Sequence, residues 1–222
     1  MKKKAVITID GPAGAGKSTV SKILAEKFNY IYLDTGALYR ALAYKALKLK
    51  MQVDDPVALE KLCSSTEVLL KNISGRIKVY VDGEDIEEKI RSEEVGLAAS
   101  RISTFAVVRK KLLDLQREAG RRGGIVAEGR DMGSVVFPDA DCKFYLDASL
   151  EERTRRRHAE LMSKGVLTEY KSIQRDMSKR DEQDKQRAIA PLKAPEGATV
   201  VDSDTLTIGE VVEKIISKIS IK

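Results

Sequence analysis

Eight residues near the N-terminus, Gly11–Ser18, carry the clearest chemical signal in the chain. They read GPAGAGKS and fit the phosphate-loop pattern G-x-x-x-x-G-K-[ST]. Glycine-rich backbone can curl around phosphate oxygens with its N–H groups pointing inward, because no Cβ intrudes. Lys17 would then reach the β- and γ-phosphates of a nucleotide, and the Ser18 hydroxyl would ligate Mg²⁺. The segment predicts nucleoside triphosphate binding.

The residues on either side of this loop predict the elements that hold it. Residues 4–10 are β-branched and apolar, as in a buried strand of an α/β sheet. Asn29 supplies a stop signal for the helix that should follow the loop. The apolar residues at helical spacing in that segment are Val20, Ile23, Leu24 and Phe28. A strand, loop and helix in this order are the context in which the motif binds phosphate.

The rest of the chain alternates between strand and helix patterns. Further strands are predicted at 30–34, 124–127, 142–146 and 198–201, with helices after or between them, at 36–49, 107–117, 149–163, 168–182 and 208–219. This alternation predicts an α/β fold of the P-loop NTPase type, a parallel sheet with helices on both faces. Residues 51–99 differ: short alternating runs, an Asp82-Gly83 turn and a net negative charge predict an inserted antiparallel-β subdomain.

Composition and charge narrow the functional classes. The 222 residues are 42% hydrophobic and 33% charged, which is typical of a globular protein. No apolar run reaches the ~18 residues of a membrane span, and the run after Lys2–Lys4 is too short for a secretory signal. Cys63 and Cys142 lack metal-ligand spacing and are too few for a disulfide framework, which indicates a cytoplasmic protein. The net charge is +6, but the sequence contains no basic stripe with interleaved aromatic residues, so nucleic acid is not an expected partner.

Three polar clusters follow predicted core strands or lie in the helical region beyond them. They are Asp34–Arg40, Glu128–Gly133 and Arg180–Arg187. Open α/β sheets bind ligands at the carboxyl ends of their strands, so these clusters predict a second site for a phosphate acceptor.

In this order the phosphate loop, TGALYR, GRDMG, KRDEQDKQRA and the acidic insert resemble the bacterial cytidylate kinases of the nucleoside monophosphate kinase family. The resemblance covers nearly the whole chain. It implies a monomeric phosphotransferase of pyrimidine metabolism that moves the γ-phosphoryl of ATP, with Mg²⁺, to CMP or dCMP, giving CDP or dCDP. It also implies a kinase core at 1–50 and 100–222, a lid at about 153–165 and a monophosphate-binding insert at 51–99.

The resemblance also implies roles for individual residues. Lys17, Arg130 and Arg180 would be catalytic, and Ser18 would be the protein ligand of the metal. The residues implied for ATP are Gly11, Pro12, Ala13, Gly14, Ala15, Gly16, Lys17, Ser18, Thr19 and Arg157. The residues implied for CMP are Ser100, Arg109 and Asp131 at the cytosine, Arg40, Arg130 and Arg180 at the phosphate, Asp184 and Arg187 at the ribose, and Thr35, where some members carry Ser.

Elementary chemistry agrees with these roles. A carboxylate such as that of Asp131 accepts a hydrogen bond from the cytosine amino group, whereas it would repel the carbonyl of uracil. An unpaired buried polar contact of this kind costs roughly 1 to 3 kcal/mol. No general base is expected, because the attacking phosphate, with a second pKa of about 6, is already ionised at neutral pH.

Several alternatives remain open at the level of sequence. Arg40 could only pair with Asp34, and Arg180 could belong to a surface ion-pair network. Arg153 or Arg157 could close over the phosphates or form a solvated helix face. The protein could phosphorylate another small acceptor, or be a nucleic-acid-associated ATPase. It could also be a nucleotide switch, although the base-reading motif Asn-Lys-x-Asp is absent from the sequence.

Overall fold

The computed structural model describes residues 4–219, which form one eight-stranded sheet with flanking helices. The strands are β1 (Val6–Asp10), β2 (Ile31–Asp34), β3 (Val68–Ile73), β4 (Arg76–Val81), β5 (Glu84–Asp85), β6 (Ile125–Gly129), β7 (Cys142–Asp147) and β8 (Thr199–Asp202). The helices are α1 (Lys17–Phe28), α2 (Thr35–Lys48), α3 (Pro56–Ser65), α4 (Glu93–Ile102), α5 (Ala106–Gly120), α6 (Leu150–Ser163), α7 (Tyr170–Gln186) and α8 (Ile208–Ile216), with a π-helical turn at Met132–Val136. The ends of the predicted core, residues 1–3 and 220–222, lie outside the described residues.

Five parallel strands form the centre of the sheet, in the order β2-β6-β1-β7-β8. Every residue of β1 is buried, as expected for a strand covered on both faces. The register places Asp10 opposite Gly129 and Asp34 opposite Glu128. The carboxyl ends of β1, β2 and β6 therefore meet at one edge, where the predicted polar clusters begin. The predicted parallel sheet is confirmed.

Helices cover both faces of this sheet. Ile7 and Ile9 pack in one apolar cluster with side chains of α1 and α8, whereas Val6 belongs to a second cluster with the π-helical turn. This alternation follows from the two-residue period of a strand. The predicted stop at Asn29 is confirmed, because this residue ends α1 in the left-handed conformation with φ 51°.

The segment between α2 and α5 contains the predicted antiparallel strands and two helices that sequence analysis missed. Strands β3 and β4 pair along their whole length, and β4 continues into β5 through the predicted turn at Asp82-Gly83. The helix α3 begins at an Asp55 N-cap followed by Pro56, and α4 begins at a Ser92 N-cap. These capping signals are present in the sequence. The helices were not predicted because the strand-like runs between the caps favoured an antiparallel-β segment.

The segment between α2 and α5 packs against the rest of the fold. Strand β4 pairs with β2 at Tyr32 and Arg76, so the hairpin extends the central sheet. One apolar cluster combines Leu42 of α2, Leu62 of α3, Ile102 of α4 and Leu112 of α5. None of the helices within residues 4–219 has the length and apolar character needed to cross a membrane.

Leu42→Ala should lower the free energy of unfolding by about 2 to 5 kcal/mol, because Leu42 is fully buried in this cluster and its truncation leaves a cavity. The control is Leu97→Ala on α4, where the leucine is 52% exposed and the loss should stay below about 0.5 kcal/mol. Chemical denaturation measures both values, and equal losses would contradict the shared core.

Candidate active site

The phosphate loop connects β1 to α1 in a conformation that requires glycine. Gly11 has φ 146°, and a Cβ at this position would lie 2.0 Å from the carbonyl oxygen of Leu146. Gly16, with φ 92°, occupies the N-cap position of α1. The loop therefore ends at the helix N-terminus, whose partial positive charge favours an anion.

Lys17 lies beneath this loop rather than in solvent. Its side chain is buried, and Nζ donates a hydrogen bond of 2.6 Å to the carbonyl oxygen of Pro12. Burial, followed by the charge of Arg130, lowers the pKa of Lys17 to about 7. A bound polyphosphate would favour the protonated ammonium, since an opposite charge stabilises the charged form.

Ser18 and Thr19 are exposed at the start of α1, beside a buried acidic group. Tyr32 donates a hydrogen bond to Glu128, and Ser18 interacts with both of these side chains. Burial, followed by the charge of Asp34, raises the pKa of Glu128. A hydroxyl and neighbouring carboxylates are hard oxygen donors that suit Mg²⁺. Within residues 4–219, no group of three or more His, Cys, Asp and Glu residues has the geometry of a metal site.

Arg153 joins the two helices α6 and α7 to the phosphate loop. Its Nη1 donates to the carbonyl oxygen of Ala13 at 3.1 Å, its Nε donates to that of Ala148 at 2.9 Å, and its Nη2 lies 2.6 Å from Oδ2 of Asp181. Arg157, one turn further along α6, is partly exposed and pairs with Glu160 at 2.8 Å. Arg153 therefore contacts the loop backbone, whereas Arg157 makes an ion pair within its own helix.

The helix α7 carries apolar and acidic residues on the same buried face. The buried residues of this helix are Ile173, Met177, Asp181 and Asp184. Their spacing of three or four residues places them on one face, so the same face that packs against α6 delivers two carboxylates to the cleft. The predicted helix ended at residue 182, but α7 continues to Gln186. This extra turn positions Asp184.

The predicted acceptor-side residues form two linked groups, the first around Arg130. Its Nε lies 2.8 Å from Oδ2 of Asp184. Arg40 pairs with Asp34 at 2.7 Å, so the alternative contact considered from the sequence does form. Thr35 donates a hydrogen bond of 2.7 Å to the carbonyl oxygen of Glu128.

Arg180 differs from these neighbours because its buried Nε has no hydrogen-bond partner within residues 4–219. Burial, followed by the charge of Arg130, lowers the pKa of this guanidinium to about 10. Its acidic neighbours on α7 are engaged elsewhere, Asp181 with Arg153 and Asp184 with Arg130. The surface ion-pair reading of Arg180 therefore does not describe its environment. A partly exposed guanidinium with a free buried donor can bind an anion.

The second group surrounds Asp131, whose carboxylate lies between two arginines. Arg109 forms a buried ion pair with it, and Nη2 of Arg187 lies 3.6 Å from its Oδ1. Arg109 also donates to the carbonyl oxygen of Ser103 at 3.2 Å and lies over the ring of Tyr39, 5.6 Å from its centroid. A cavity of about 170 Å³ borders Tyr39, Arg109 and Asp131. The polar edge of this cavity can hydrogen-bond a planar base.

Ser100 and Arg187 connect this group to α7. Gln183 donates to the carbonyl oxygen of Ser100 at 2.8 Å and to its hydroxyl at 3.2 Å. Nη1 of Arg187 lies 3.8 Å from Oδ1 of Asp184, and Nε donates to the carbonyl oxygen of Ala190. A larger cavity of about 630 Å³ is lined by residues of α6 and α7, among them Arg153 and Asp181.

A sequence profile of the cytidylate kinases matches residues 7–221. The chain belongs to the cytidylate kinase family. It is 44% identical over 219 residues to the cytidylate kinase of Pasteurella multocida, covering 99% of this chain and 96% of that protein. It is 47% identical over 212 residues to the cytidylate kinase of Aeromonas salmonicida, covering 96% and 92%. The predicted family and its transfer of phosphoryl from ATP to CMP or dCMP are therefore confirmed.

Solved structures of other proteins share the fold at low sequence identity. A shikimate kinase from Bacteroides thetaiotaomicron superposes with a TM-score of 0.50 and 13% identity, covering 96% of this chain and 97% of that chain. An uncharacterized protein from Eubacterium ventriosum gives 0.52 and 12%, covering 97% of both chains. This likeness shows the α/β fold alone.

Sequence analysis gave no role to three buried residues of this site, although one of them, Glu128, begins a predicted polar cluster. They are Asp10, Tyr32 and Glu128. Each is a polar residue in or at the end of an apolar strand that leads to the ligand edge of the sheet, and this position was the available signal. Both Asp10 oxygens accept backbone hydrogen bonds, from the N–H groups of Met132 and Gly133.

Arg180→Leu should separate stability from acceptor binding. It removes a partly exposed cation that burial disfavours, so the free energy of unfolding should be unchanged or higher. If Arg180 binds the acceptor phosphate, the KM for CMP should rise roughly ten- to a hundredfold, because a charge-assisted hydrogen bond is lost. Arg175→Leu, on the exposed side of the same helix, should alter neither quantity. A stability loss in Arg180→Leu as large as its binding loss would contradict this assignment.

The stability of the protein should also depend on the titration of Asp10. Burial raises the pKa of Asp10 to about 6, although the hydrogen bonds from the N–H groups of Gly133 and Met132 oppose the shift. The folded state then binds a proton that the unfolded state has released, so this contribution to stability is complete below pH ~4 and is lost as the pH rises through 6. The unfolding free energy of the wild type relative to Asp10→Asn should fall by up to ~3 kcal/mol between pH 4 and pH 7. Denaturant titrations across this range test it, and a constant difference would contradict it.

Proposed function

We propose that the Asp131 and Arg130 groups described above form the CMP site, facing an ATP site at the phosphate loop. The observation that carries this proposal is the buried Arg109–Asp131 pair beside a small cavity, directly followed in space by Arg130, whose charge acts on Arg180. A base reader next to a pair of phosphate-binding cations suits a nucleoside monophosphate rather than a metabolite without a base.

In this proposal Asp131 and Arg109 read the cytosine edge together with Ser100. The Asp131 carboxylate accepts a hydrogen bond from the amino group, while Arg109 donates to the ring nitrogen or carbonyl oxygen. Asp184 and Arg187 contact the ribose. UMP is disfavoured because its carbonyl oxygen would face the carboxylate, at a cost of roughly 1 to 3 kcal/mol.

The acceptor phosphate binds between Arg40, Arg130 and Arg180, with a hydrogen bond from Thr35. Arginine suits this role because its planar guanidinium donates two parallel hydrogen bonds to phosphate oxygens. Carboxylates contact two of these cations, Asp34 at Arg40 and Asp184 at Arg130. The phosphate would share or replace those contacts and would accept a hydrogen bond from Nε of Arg180.

The donor ATP binds at residues 11–19, where Lys17 and the loop N–H groups hold its phosphates, and Arg157 contacts it from α6. Ser18 is the proposed protein ligand of Mg²⁺, which would neutralise phosphate charge when bound. Lys17, Arg130 and Arg180 are the proposed catalytic residues, since they neutralise the charge that separates the two anions. No side chain acts as a general base.

The remaining proposals concern organisation. Residues 1–50 and 100–222 form the kinase core, 51–99 the monophosphate-binding insert and about 153–165 the lid. Closure of the insert and lid over both nucleotides would exclude water and suppress hydrolysis of ATP. The enzyme acts as a cytoplasmic monomer without a nucleic-acid partner.

The first experiment measures ADP formation from Mg-ATP with CMP, dCMP, UMP, AMP or GMP, each against a reaction without acceptor. Rapid turnover is expected with CMP and dCMP. If nucleic acid stimulated ATP turnover and no monophosphate did, the proposed acceptor site would be wrong.

Asp131→Ala should raise the KM for CMP by about tenfold to a hundredfold, because the cytosine contact and the partner of Arg109 and Arg187 are lost together. The Kd for ATP should stay within about twofold, since Asp131 lies outside the phosphate loop. Asp139→Ala, at an exposed carboxylate in the same segment, is the matched control and should behave as the wild type. Steady-state kinetics and ATP titration measure both constants. A CMP KM unchanged in Asp131→Ala would refute the proposed base reader.

A further inference from the structure

Asp10 is the last residue of β1 and directly precedes the first glycine of the phosphate loop. It is fully buried, and no step of the proposed phosphoryl transfer uses its carboxylate. Oδ1 accepts a hydrogen bond of 2.7 Å from the N–H group of Met132, and Oδ2 accepts one of 2.8 Å from that of Gly133. One carboxylate thus binds two successive N–H groups that lie 122 and 123 residues further along the chain.

These two N–H groups are at the beginning of the π-helical turn. The first N–H groups of any helical turn lack partners within the turn and need an outside acceptor when they are buried. The parallel register places Asp10 opposite Gly129, so the chain leaves β6, passes Asp131 and returns to Asp10. Asp10 therefore closes the loop that carries Asp131.

Asp131 occupies the position from which an aspartate ordinarily caps such a turn. Its side chain makes no capping hydrogen bond here, and its carboxylate contacts Arg109 and Arg187. The two aspartates therefore divide two tasks. Asp10 satisfies the backbone of the turn, so the oxygens of Asp131 are not used for capping and lie with Arg109 and Arg187 beside the cavity.

We propose that Asp10 is a positioning residue for cytosine recognition: it caps the Met132–Val136 turn from β1 and thereby holds the Asp131 carboxylate in reading position. This inference rests on the proposed role of Asp131. Because the next residue is Gly11, the same aspartate ties the base-reading loop to the start of the phosphate loop.

The test compares Asp10→Asn with Asp141→Asn. Asparagine retains the shape of aspartate but presents an NH₂ group to one of the two N–H donors, so one bond of the cap is lost. Asp141 makes the same kind of contact at the opposite end of β1, where Oδ2 accepts a hydrogen bond of 2.8 Å from the N–H group of Val6. The control therefore removes a carboxylate-to-backbone contact from the same strand without touching the base-reading loop.

The measured quantities are the KM for CMP, the Kd for ATP and the ratio of kcat/KM for CMP over UMP. Asp10→Asn should raise the KM for CMP roughly tenfold or more and lower the CMP-to-UMP ratio, with the Kd for ATP within about twofold of the wild type. Asp141→Asn should leave all three within about twofold. In an Asp131→Ala background, Asp10→Asn should add little, because the residue through which it acts is absent.

Three results would overturn the inference. These are an unchanged CMP-to-UMP ratio in Asp10→Asn, an equal loss of ATP and CMP binding, and full additivity with Asp131→Ala. Should Asp10→Asn fail to fold, Asp10→Ser keeps one acceptor and is judged by the same ratio. An unchanged KM for CMP in Asp131→Ala would refute the proposed CMP site. If Asp131→Ala raises this KM and Asp10→Asn does not, this inference fails and the proposed site stands.

Discussion

The concentration of positive charge at the carboxyl edge of the sheet is the constraint on which the rest of the structure depends. Lys17, Arg130 and Arg180 are brought close enough for their charges to shift one another's protonation. Burying like charges together is costly unless each cation finds a counter-charge or shifts its pKa. The fold responds in both ways. Lys17 acquires a lowered pKa, and carboxylates are placed beside most of the arginines.

The carboxylates of the site act as counter-charges to its arginines. Asp184 contacts Arg130, Asp34 contacts Arg40 and Asp131 contacts Arg109. Each ion pair restricts a guanidinium group, so less side-chain entropy would be lost on binding a nucleotide. Arg180 lacks such a partner at its Nε, which leaves one strong donor for an incoming anion.

The helical scaffold is built to deliver these charges. On α7 a single face carries first the apolar residues that pack against α6 and then the two acidic residues of the site. Arg153 fastens both helices to the backbone of the phosphate loop. A movement of α6 and α7 would therefore displace the backbone at Ala13. This contact would couple the proposed lid to the proposed ATP site.

The sequence alone determined the features that depend only on residues close together in the chain. The phosphate loop, its flanking strand and helix, the Asn29 stop and the alternation that defines a parallel sheet are local patterns, and local sterics and periodicity are enough to predict them. The helices α3 and α4 were missed although their caps are present in the sequence, because the strand-like runs between them favoured a different reading.

Only the tertiary structure decided which distant residues meet. Asp10 contacts a turn more than 120 residues away, Glu128 contacts Tyr32, and Arg153 rather than Arg157 reaches the loop. Each of these contacts depends on strand order and on which face of a helix is buried. Those properties arise from the packing of the whole chain, so no local pattern at Asp10 or Arg153 could have identified the partner.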